Sequence, residues 1–196
     1  LADDHPDVVA RLQERWWSEA RTYGVLPLDD RMQTRMAAQN PAGDSGSYVL
    51  YPGGRTLNLV AGPNFFDRRF RITADIGAWA PGHDGVLLAW GRRATGMSLF
   101  VLDGRLQFDL NLGGKHVVVA TAEPLPTGAT TLQLSLDGDD AGATATLLAD
   151  DVALATGELA GLIPSGMGLL PTQCGYNAPS PVSPLYDVPF RYRGDH

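Results

Sequence analysis

The sequence predicts a mainly β protein, in which a two-sheet antiparallel sandwich follows a single N-terminal α-helix. Apolar residues alternate with polar ones from about residue 47 onward, in short segments separated by turn residues. Apolar residues that recur every three or four positions, the spacing of a helix, occur only in the first 23 residues. Strands with one buried face need an opposing sheet, and 196 residues can bury one such core.

The helix is predicted over residues 6–23. Asp4 can cap its first turn and Pro6 fits that turn, because a helix leaves its first N–H groups unpaired. Gly24 supplies a C-terminal stop, and Pro27 prevents the helix from resuming. The apolar residues form one stripe along the helix: Val9, Leu12, Trp16, Ala20 and Tyr23.

Two regions are predicted, with the helix and a connector in residues 1–46 and the β-sandwich domain in residues 47–196. The breaker-rich segment Gln39–Ser47 marks the boundary. The tail has five prolines across residues 171–189, so we expect it to wrap the domain rather than join a central strand. Tight turns are predicted at Asp103-Gly104, Gly113-Gly114 and Asp150-Asp151. Nine strands are predicted, at 47–51, 69–77, 85–91, 97–102, 105–112, 115–122, 130–137, 143–149 and 152–159.

Composition excludes several classes of partner. The net charge of −7 and the pI of about 4.9 argue against nucleic-acid binding, which depends on clustered cations. No apolar run approaches the roughly 18 residues of a membrane span, so no membrane partner is expected. Cys174 is the only cysteine, which rules out an internal disulfide framework and favours a buried structural thiol.

No catalytic residue is predicted from the carboxylates. Glycosidases on sandwich folds need two carboxylates that face each other across a groove. Glu14 and Glu19 lie on the predicted helix, whereas Glu123 and Glu158 lie at strand ends. Asp75 and Asp109 lie on unrelated predicted strands, so no acid/base pair emerges.

No metal or cofactor site is predicted either. The acidic segment Asp137–Gly142 lacks the distal glutamate of a calcium loop and is interpreted as a plain turn. Gly113-Gly114-Lys115 lacks the spacing of a phosphate loop, and Arg193-Gly194-Asp195 is interpreted as a chance match to an adhesion tripeptide. The histidines lack metal-ligand spacing and are interpreted as solvated or hydrogen-bonded: His5, His83, His116 and His196.

Trp79 and Trp90 are the candidates for stacking on sugars, in or beside predicted strands. Tryptophan is usually largely buried, so the core is the favoured location for both. Whether these two side chains are exposed is expected to decide for or against a lectin-like carbohydrate-binding module. Burial of both indoles would remove that alternative.

The chain resembles the C-terminal end of bacterial arylsulfatases of the alkaline-phosphatase-like superfamily. Residues 1–31, LADDHPDVVARLQERWWSEARTYGVLPLDDR, resemble the segment that follows the catalytic domain in that family. Because the chain starts at Leu1 without a methionine, we expect it to be a piece of a longer protein. The match continues through YVLYPGG (48–54), FRITADI (70–76), DGVLLAWG (84–91), SLFVLDGRL (98–106) and PVSPLYDVPFRYRG (181–194).

The resemblance implies a jelly-roll sandwich of the concanavalin or laminin-G type. It places the helix at the seam with the catalytic domain, where Trp16, Ala20 and Tyr23 would contact that domain. Since the catalytic domain is absent here, we expect the stripe to fold back on the sandwich or to pair with a second copy of the chain.

The resemblance also implies what this chain lacks. Family sulfatases hydrolyse sulfate esters with a formylglycine made within a Cys/Ser-x-Pro-Ser/Thr-Arg motif, and they hold a calcium ion. Cys174 is followed by Gly-Tyr-Asn-Ala, so neither the nucleophile nor the calcium ligands can be placed on this chain. At 175–182 the chain has GYNAPSPV, in which Asn177 and Pro179 replace an acid and a glycine of the family pattern. We therefore expect a non-catalytic domain with a structural or interaction role, and the alternative is a carbohydrate-binding module.

Overall fold

The computed structural model describes residues 2–28, 46–58, 61–165 and 170–194. The chain divides into two compact units, Leu1–Gly43 and Asp44–His196. Most of the predicted connector, residues 24–46, lies outside the described residues. No helix in the described ranges is long and apolar enough to cross a membrane.

The first unit contains one helix, α1, at Pro6–Thr22, as the apolar spacing predicted. Pro6 lies in the first turn and Arg21 in the last, where its positive charge interacts favourably with the negative end of the helix dipole. The N-cap position is His5 rather than the predicted Asp4. Gly24 follows the helix with a left-handed φ of 66°, a conformation that favours glycine. Of the apolar stripe only Ala20 is buried, whereas Leu12, Trp16 and Tyr23 are exposed.

The second unit is a two-layer jelly-roll sandwich, as predicted. The smaller sheet has the order β1-β6-β7-β8, and the larger has the order β10-β11-β2-β3-β4-β5, with β9 also paired to β2. The described strands are β1 (Phe70–Asp75), β2 (Gly85–Arg92), β3 (Thr95–Leu102), β4 (Arg105–Leu112), β5 (Lys115–Ala120), β6 (Thr131–Asp139), β7 (Gly142–Ala149), β8 (Val152–Leu159), β9 (Thr172–Cys174), β10 (Tyr176–Asn177) and β11 (Phe190–Arg191).

Strands β1 to β8 lie where the alternation predicted them, and β4 and β8 match the prediction to the residue. The ninth prediction, a strand at 47–51, was wrong. This segment has the composition of a strand but no ladder partner. Cys174 donates a weak bond through Sγ to the Leu50 carbonyl at 3.8 Å, while the flanking Val49 and Tyr51 are exposed.

The tail was expected to wrap the domain without joining a central strand, and this expectation was wrong in part. Its short strands β9 and β11 both pair with β2, β9 antiparallel and β11 parallel. Because these contacts are only a few residues long, they leave room for the prolines between them. Residues 178–189 carry no strand and cross the outer face of the larger sheet.

The core lies between the sheets and is built by alternation. Leu132, Leu134 and Leu136 of β6 share the inner face, as predicted, and are buried together with Phe108 and Trp90 of the larger sheet. Each such side chain contributes about 1.5–3 kcal/mol of burial free energy. This inner packing directs the alternate residues of β2 to β5 to the opposite, outer face.

The predicted turns at Asp103-Gly104, Gly113-Gly114 and Asp150-Asp151 are confirmed, each with two successive residues at positive φ. Asp84 accepts hydrogen bonds from the N–H groups of Asp103 and Gly104, at 2.9 and 3.1 Å. Asp150 accepts from the N–H groups of Thr130 and Thr131, and these bonds lower the pKa of its carboxyl group.

Candidate functional site

Side chains alternate along each strand of the larger sheet, so the residues between the core positions lie on its outer face, and several of them are polar. Across the sheet, Ala89 pairs with Ser98, Ser98 with Asp109, and Asp109 with Val118. An irregularity between Val86 and Leu88 shifts the register of β2, which keeps Val86 and Ala89 on the same face. The next row runs through Gly91, Gly96, Asn111 and His116.

The tail covers part of this outer face with a second, smaller apolar cluster. Val182 and Tyr186 of the tail pack against Val86, Ala89 and Phe100 of the sheet. The Tyr186 ring meets the Phe100 ring edge-on, with centroids 5.0 Å apart. Polar atoms next to this cluster are therefore taken out of water and need partners within the protein.

A buried hydrogen-bond network supplies those partners. The Tyr186 hydroxyl donates to Asn177 Oδ1 at 2.8 Å, so Ser98 must donate its own hydrogen to Tyr186 over 2.9 Å. Asn177 Oδ1 also accepts the Val182 N–H at 3.0 Å. Burial raises the pKa of Tyr186, which keeps the phenol protonated as a donor.

The network continues through Asn177 to the β9 strand. Asn177 Nδ2 donates to Gln173 Oε1 at 2.8 Å, and Gln173 Nε2 donates to the Ala178 carbonyl and to Thr56 Oγ1. An ionised aspartate could accept the bonds from Tyr186 and Val182 but could not donate to Gln173. Asparagine therefore fits this set of partners where an aspartate would not, and the network anchors the tail.

Asp109 and His116 form a polar pair at the margin of the covered area. The Asp109 carboxylate is fully buried and accepts from His116 Nδ1, with its two oxygens 2.9 and 3.0 Å away. A carboxylate can only accept, so Nδ1 carries the hydrogen and Nε2 is left as the second polar atom of the ring. The His116 side chain is 24% exposed, so this ring is oriented by the protein and still accessible.

Basic side chains collect at one end of the larger sheet, which we call the basic rim: Arg92, Arg93, Lys115 and His116. The β2–β3 and β4–β5 turns lie at the same end because the strands are antiparallel. Residues 91–96, GRRATG, and 111–116, NLGGKH, contain no acid, although the chain has a net charge of −7. In the part of the chain that the structure describes, no carboxylate forms an ion pair with Arg92, Arg93 or Lys115.

Buried Asn111 joins the two turns of the basic rim. Its Nδ2 donates to the Arg93 carbonyl at 2.8 Å and to the Val182 carbonyl at 3.2 Å, while its Oδ1 accepts the Gly114 N–H at 2.8 Å. The Arg93 N–H donates to Ser180 Oγ of the tail at 3.2 Å. The backbone that carries the cations is therefore held before any ligand arrives, which lowers the entropic cost of binding.

The two tryptophans proposed for sugar stacking lie in the core, which was the favoured location. Trp90 contacts the rings of Phe65 and Phe66 with centroids 5.4 and 4.8 Å apart, and Trp79 is equally enclosed. Neither indole is accessible to a ligand.

The carboxylates considered for catalysis are dispersed. Asp75 lies on the smaller sheet and pairs with Thr131, whereas Asp109 lies on the larger sheet with His116. Glu158 is exposed and accepts the Thr144 hydroxyl at 3.2 Å. Glu14 and Glu19 lie on α1, as predicted, and Glu123 lies in a loop.

The remaining sequence candidates have structural partners. Asp137 pairs with Arg69 at 3.5 Å, and Asp139 accepts the Ala141 N–H at 2.8 Å, as in a plain acidic turn. Within the described ranges no three His, Cys, Asp or Glu residues are grouped as a metal site. Cys174 is partly buried, and this burial raises the pKa of its thiol. Asp195 and His196 lie outside the described residues.

Sequence reasoning missed the residues that build the outer face: Ser98, Asn111, Gln173 and Tyr186. Ser98 and Asn111 stand at the polar positions of alternating strands, which are ordinarily interpreted as solvent-facing. The available signal was a pair of acid-free, cation-bearing turns at 91–96 and 111–116 in an acidic chain.

No protein-family model matches the sequence, and no curated protein matches it either. The fold is similar to Ruminococcus gnavus IT-sialidase CBM40, with 15% identity over 75% of this chain and 85% of that one and a TM-score of 0.51. The same module bound to alpha2,3 sialyllactose gives 14% identity over 75% and 83% and a TM-score of 0.49. Domains LG4-5 of the mouse laminin alpha1 chain give 16% identity over 74% and 37% and a TM-score of 0.45. The first of these likenesses shows that this chain shares the jelly-roll fold of the CBM40 module.

Proposed function

We propose that the sandwich is a lectin-like carbohydrate-binding domain that uses the outer face and the basic rim of its larger sheet. The main support for this proposal is that the basic rim has accessible polar side chains, and that Asn111 already holds the backbone of the rim in place. Sugar recognition needs such fixed donors and acceptors, because binding energy spent on ordering a loop is lost. The shared fold with a carbohydrate-binding CBM40 module supports the same function.

Burial of Trp79 and Trp90 was expected to remove this alternative, and that criterion was too narrow. Burial removes stacking by these two rings only. Hydrogen bonding at the rim needs neither ring, because His116 and the cations supply the polar groups. The proposed domain therefore binds mainly by polar contacts.

A glycan array followed by titration calorimetry tests the proposal. We expect binding to a subset of glycans and loss of that binding after substitutions at the rim. Silence across the array, with folded protein confirmed by circular dichroism, would overturn the proposal.

We also propose a second candidate, in which the chain is the C-terminal domain beside an arylsulfatase catalytic domain that this chain lacks. It is favoured by the exposed aromatic residues of α1, Trp16 and Trp17, which carry more apolar surface than a solvated helix needs. Either a sulfatase catalytic domain or a second copy of this chain would cover them. The two proposals are compatible, because they use different units of the chain.

Two measurements test the second candidate. A continuous upstream reading frame that bears the Cys/Ser-x-Pro-Ser/Thr-Arg motif would support the parentage, and an unrelated frame would contradict it. Turnover of an aryl sulfate ester by this chain alone should be absent. Clear hydrolysis would show that the expectation of a non-catalytic domain is wrong.

A further inference from the structure

We infer that the ligand of the basic rim is a negatively charged saccharide, whose carboxylate or sulfate group is attracted by the exposed cations Arg93 and Lys115, while His116 contacts a sugar hydroxyl. This inference rests on the proposed function and specifies its ligand class. It follows from three observations at one end of the larger sheet: the positive charge, the absence of an ion pair to that charge among the described residues, and the fixed backbone beneath it.

The first observation is that positive charge is concentrated against the overall charge of the protein. Arg92, Arg93 and Lys115 lie within two turns that contain no acid, and Lys115 is the only lysine of the chain. The opposite turn of the same sheet carries Asp103 next to Asp84. A ligand anion is therefore attracted to one end of the sheet and repelled from the other.

The second observation is that these cations are exposed and have no described carboxylate as an ion-pair partner. A cation already paired at the surface would have to exchange one partner for another, with little net gain. The acid facing this end from the sheet is Asp109, which is buried and bonded to His116. That bond leaves His116 Nε2 for the ligand, as an acceptor for a sugar hydroxyl.

The third observation is the spacing of the groups on a rigid support. The rim extends from β2 to β5, which is three strand spacings or about 14 Å. Asn111 joins its two turns, and Ser180 of the tail holds the Arg93 N–H. An anionic group at one position and sugar hydroxyls along the rest of the rim would fit this extent, whereas an inorganic anion alone would use only part of it.

The experiment compares three probes with one sugar core: α2,3-sialyllactose, which carries a carboxylate, lactose 3′-sulfate, and neutral lactose. We expect at least one charged probe to bind no less than tenfold more tightly than lactose, with an affinity that falls as salt is raised. Binding of the carboxylate, the sulfate or both supports the inference and identifies the source of the charge. Equal affinity for lactose would overturn it while leaving the carbohydrate-binding function intact. Absence of binding to any glycan would overturn both.

Matched variants locate the site. The double variant Arg93→Ala/Lys115→Ala should weaken charged-probe binding more than tenfold, with each exposed cation contributing about fivefold. The control, Arg71→Ala/Arg105→Ala, removes the same charge from exposed positions on the smaller sheet and at the opposite end of β4. Equal weakening in both double variants would contradict a site at the rim, because it would report net charge alone. Thermal melting of each variant confirms that the fold is retained.

Discussion

The two pairs of tryptophans in this protein have opposite environments. In the sandwich, Trp79 and Trp90 are 3% and 0% exposed, whereas Trp16 and Trp17 of α1 are 45% and 43% exposed. An indole buries up to about 250 Å² in a core. The sandwich therefore uses its tryptophans for its own stability, and the helix holds two of them where another surface can cover them.

The same residue type therefore serves two purposes in this protein, and the two can be separated by measurement. Removal of a sandwich tryptophan should cost stability in the isolated chain. Removal of a helix tryptophan should cost association and leave stability nearly unchanged.

The largest effect is expected for Trp90→Ala. This substitution leaves a cavity beside Phe65 and Phe66 and should lower the free energy of unfolding by about 3–5 kcal/mol. Trp90→Phe is the matched control and should cost much less, because the indole N–H has no hydrogen-bond partner among the described residues. Urea unfolding measures both, and a loss under 1 kcal/mol for Trp90→Ala would contradict the buried location.

A smaller effect is expected on the outer side of the same sheet. Tyr186→Phe removes the hydroxyl that joins Ser98 to Asn177 and should lower the free energy of unfolding by about 1–3 kcal/mol. The control is Tyr176→Phe, whose hydroxyl bonds Thr56 near the surface and should cost about 0.5 kcal/mol or less. Equal losses in the two variants would show that the tail network contributes no more than a surface contact.

The smallest effect on stability is expected for the helix. Trp16→Ala/Trp17→Ala should change the free energy of unfolding of the sandwich by about 0.5 kcal/mol or less, because both rings are exposed. If a second copy covers the helix, light scattering should show a dimer for the wild type and a monomer for this variant. A loss above about 2 kcal/mol would mean that the two indoles belong to the protein's own core, and the comparison between the tryptophan pairs would fail.

Much of the fold could be predicted because its signals are local. Strands β4 and β8 follow from alternation bounded by turn residues such as Asp103-Gly104, whose conformation depends on neighbouring residues only. The segment 47–51 has the Tyr- and Val-rich composition of a strand but forms no strand, because a strand also needs a partner edge. The short strand β9 shows the reverse case, since proline-rich surroundings did not prevent it from pairing with β2.

Of the candidate site, only the charged residues could be predicted from the sequence. The acid-free turns with Arg93 and Lys115 are visible in the sequence, but their position at the same end of one sheet depends on the strand order. Asp109 and Asn111 occupy polar positions of an alternating strand, a pattern typical of residues that face water. Both are buried: Asn111 bonds Val182 of the tail, 71 residues away, and Asp109 is bonded to His116 at the margin of the area that the tail covers.

The helix, the eight main strands and their turns could be predicted from the sequence, because each depends on residues that are close neighbours in the chain. The acidic overall charge follows from the composition alone. The tertiary structure alone decided which polar residues are buried, which cations share an end of the sheet, and how Asn177, Gln173 and Tyr186 hold the tail. These features depend on contacts between distant segments, and no local pattern records the burial or the hydrogen-bond partners that such contacts create.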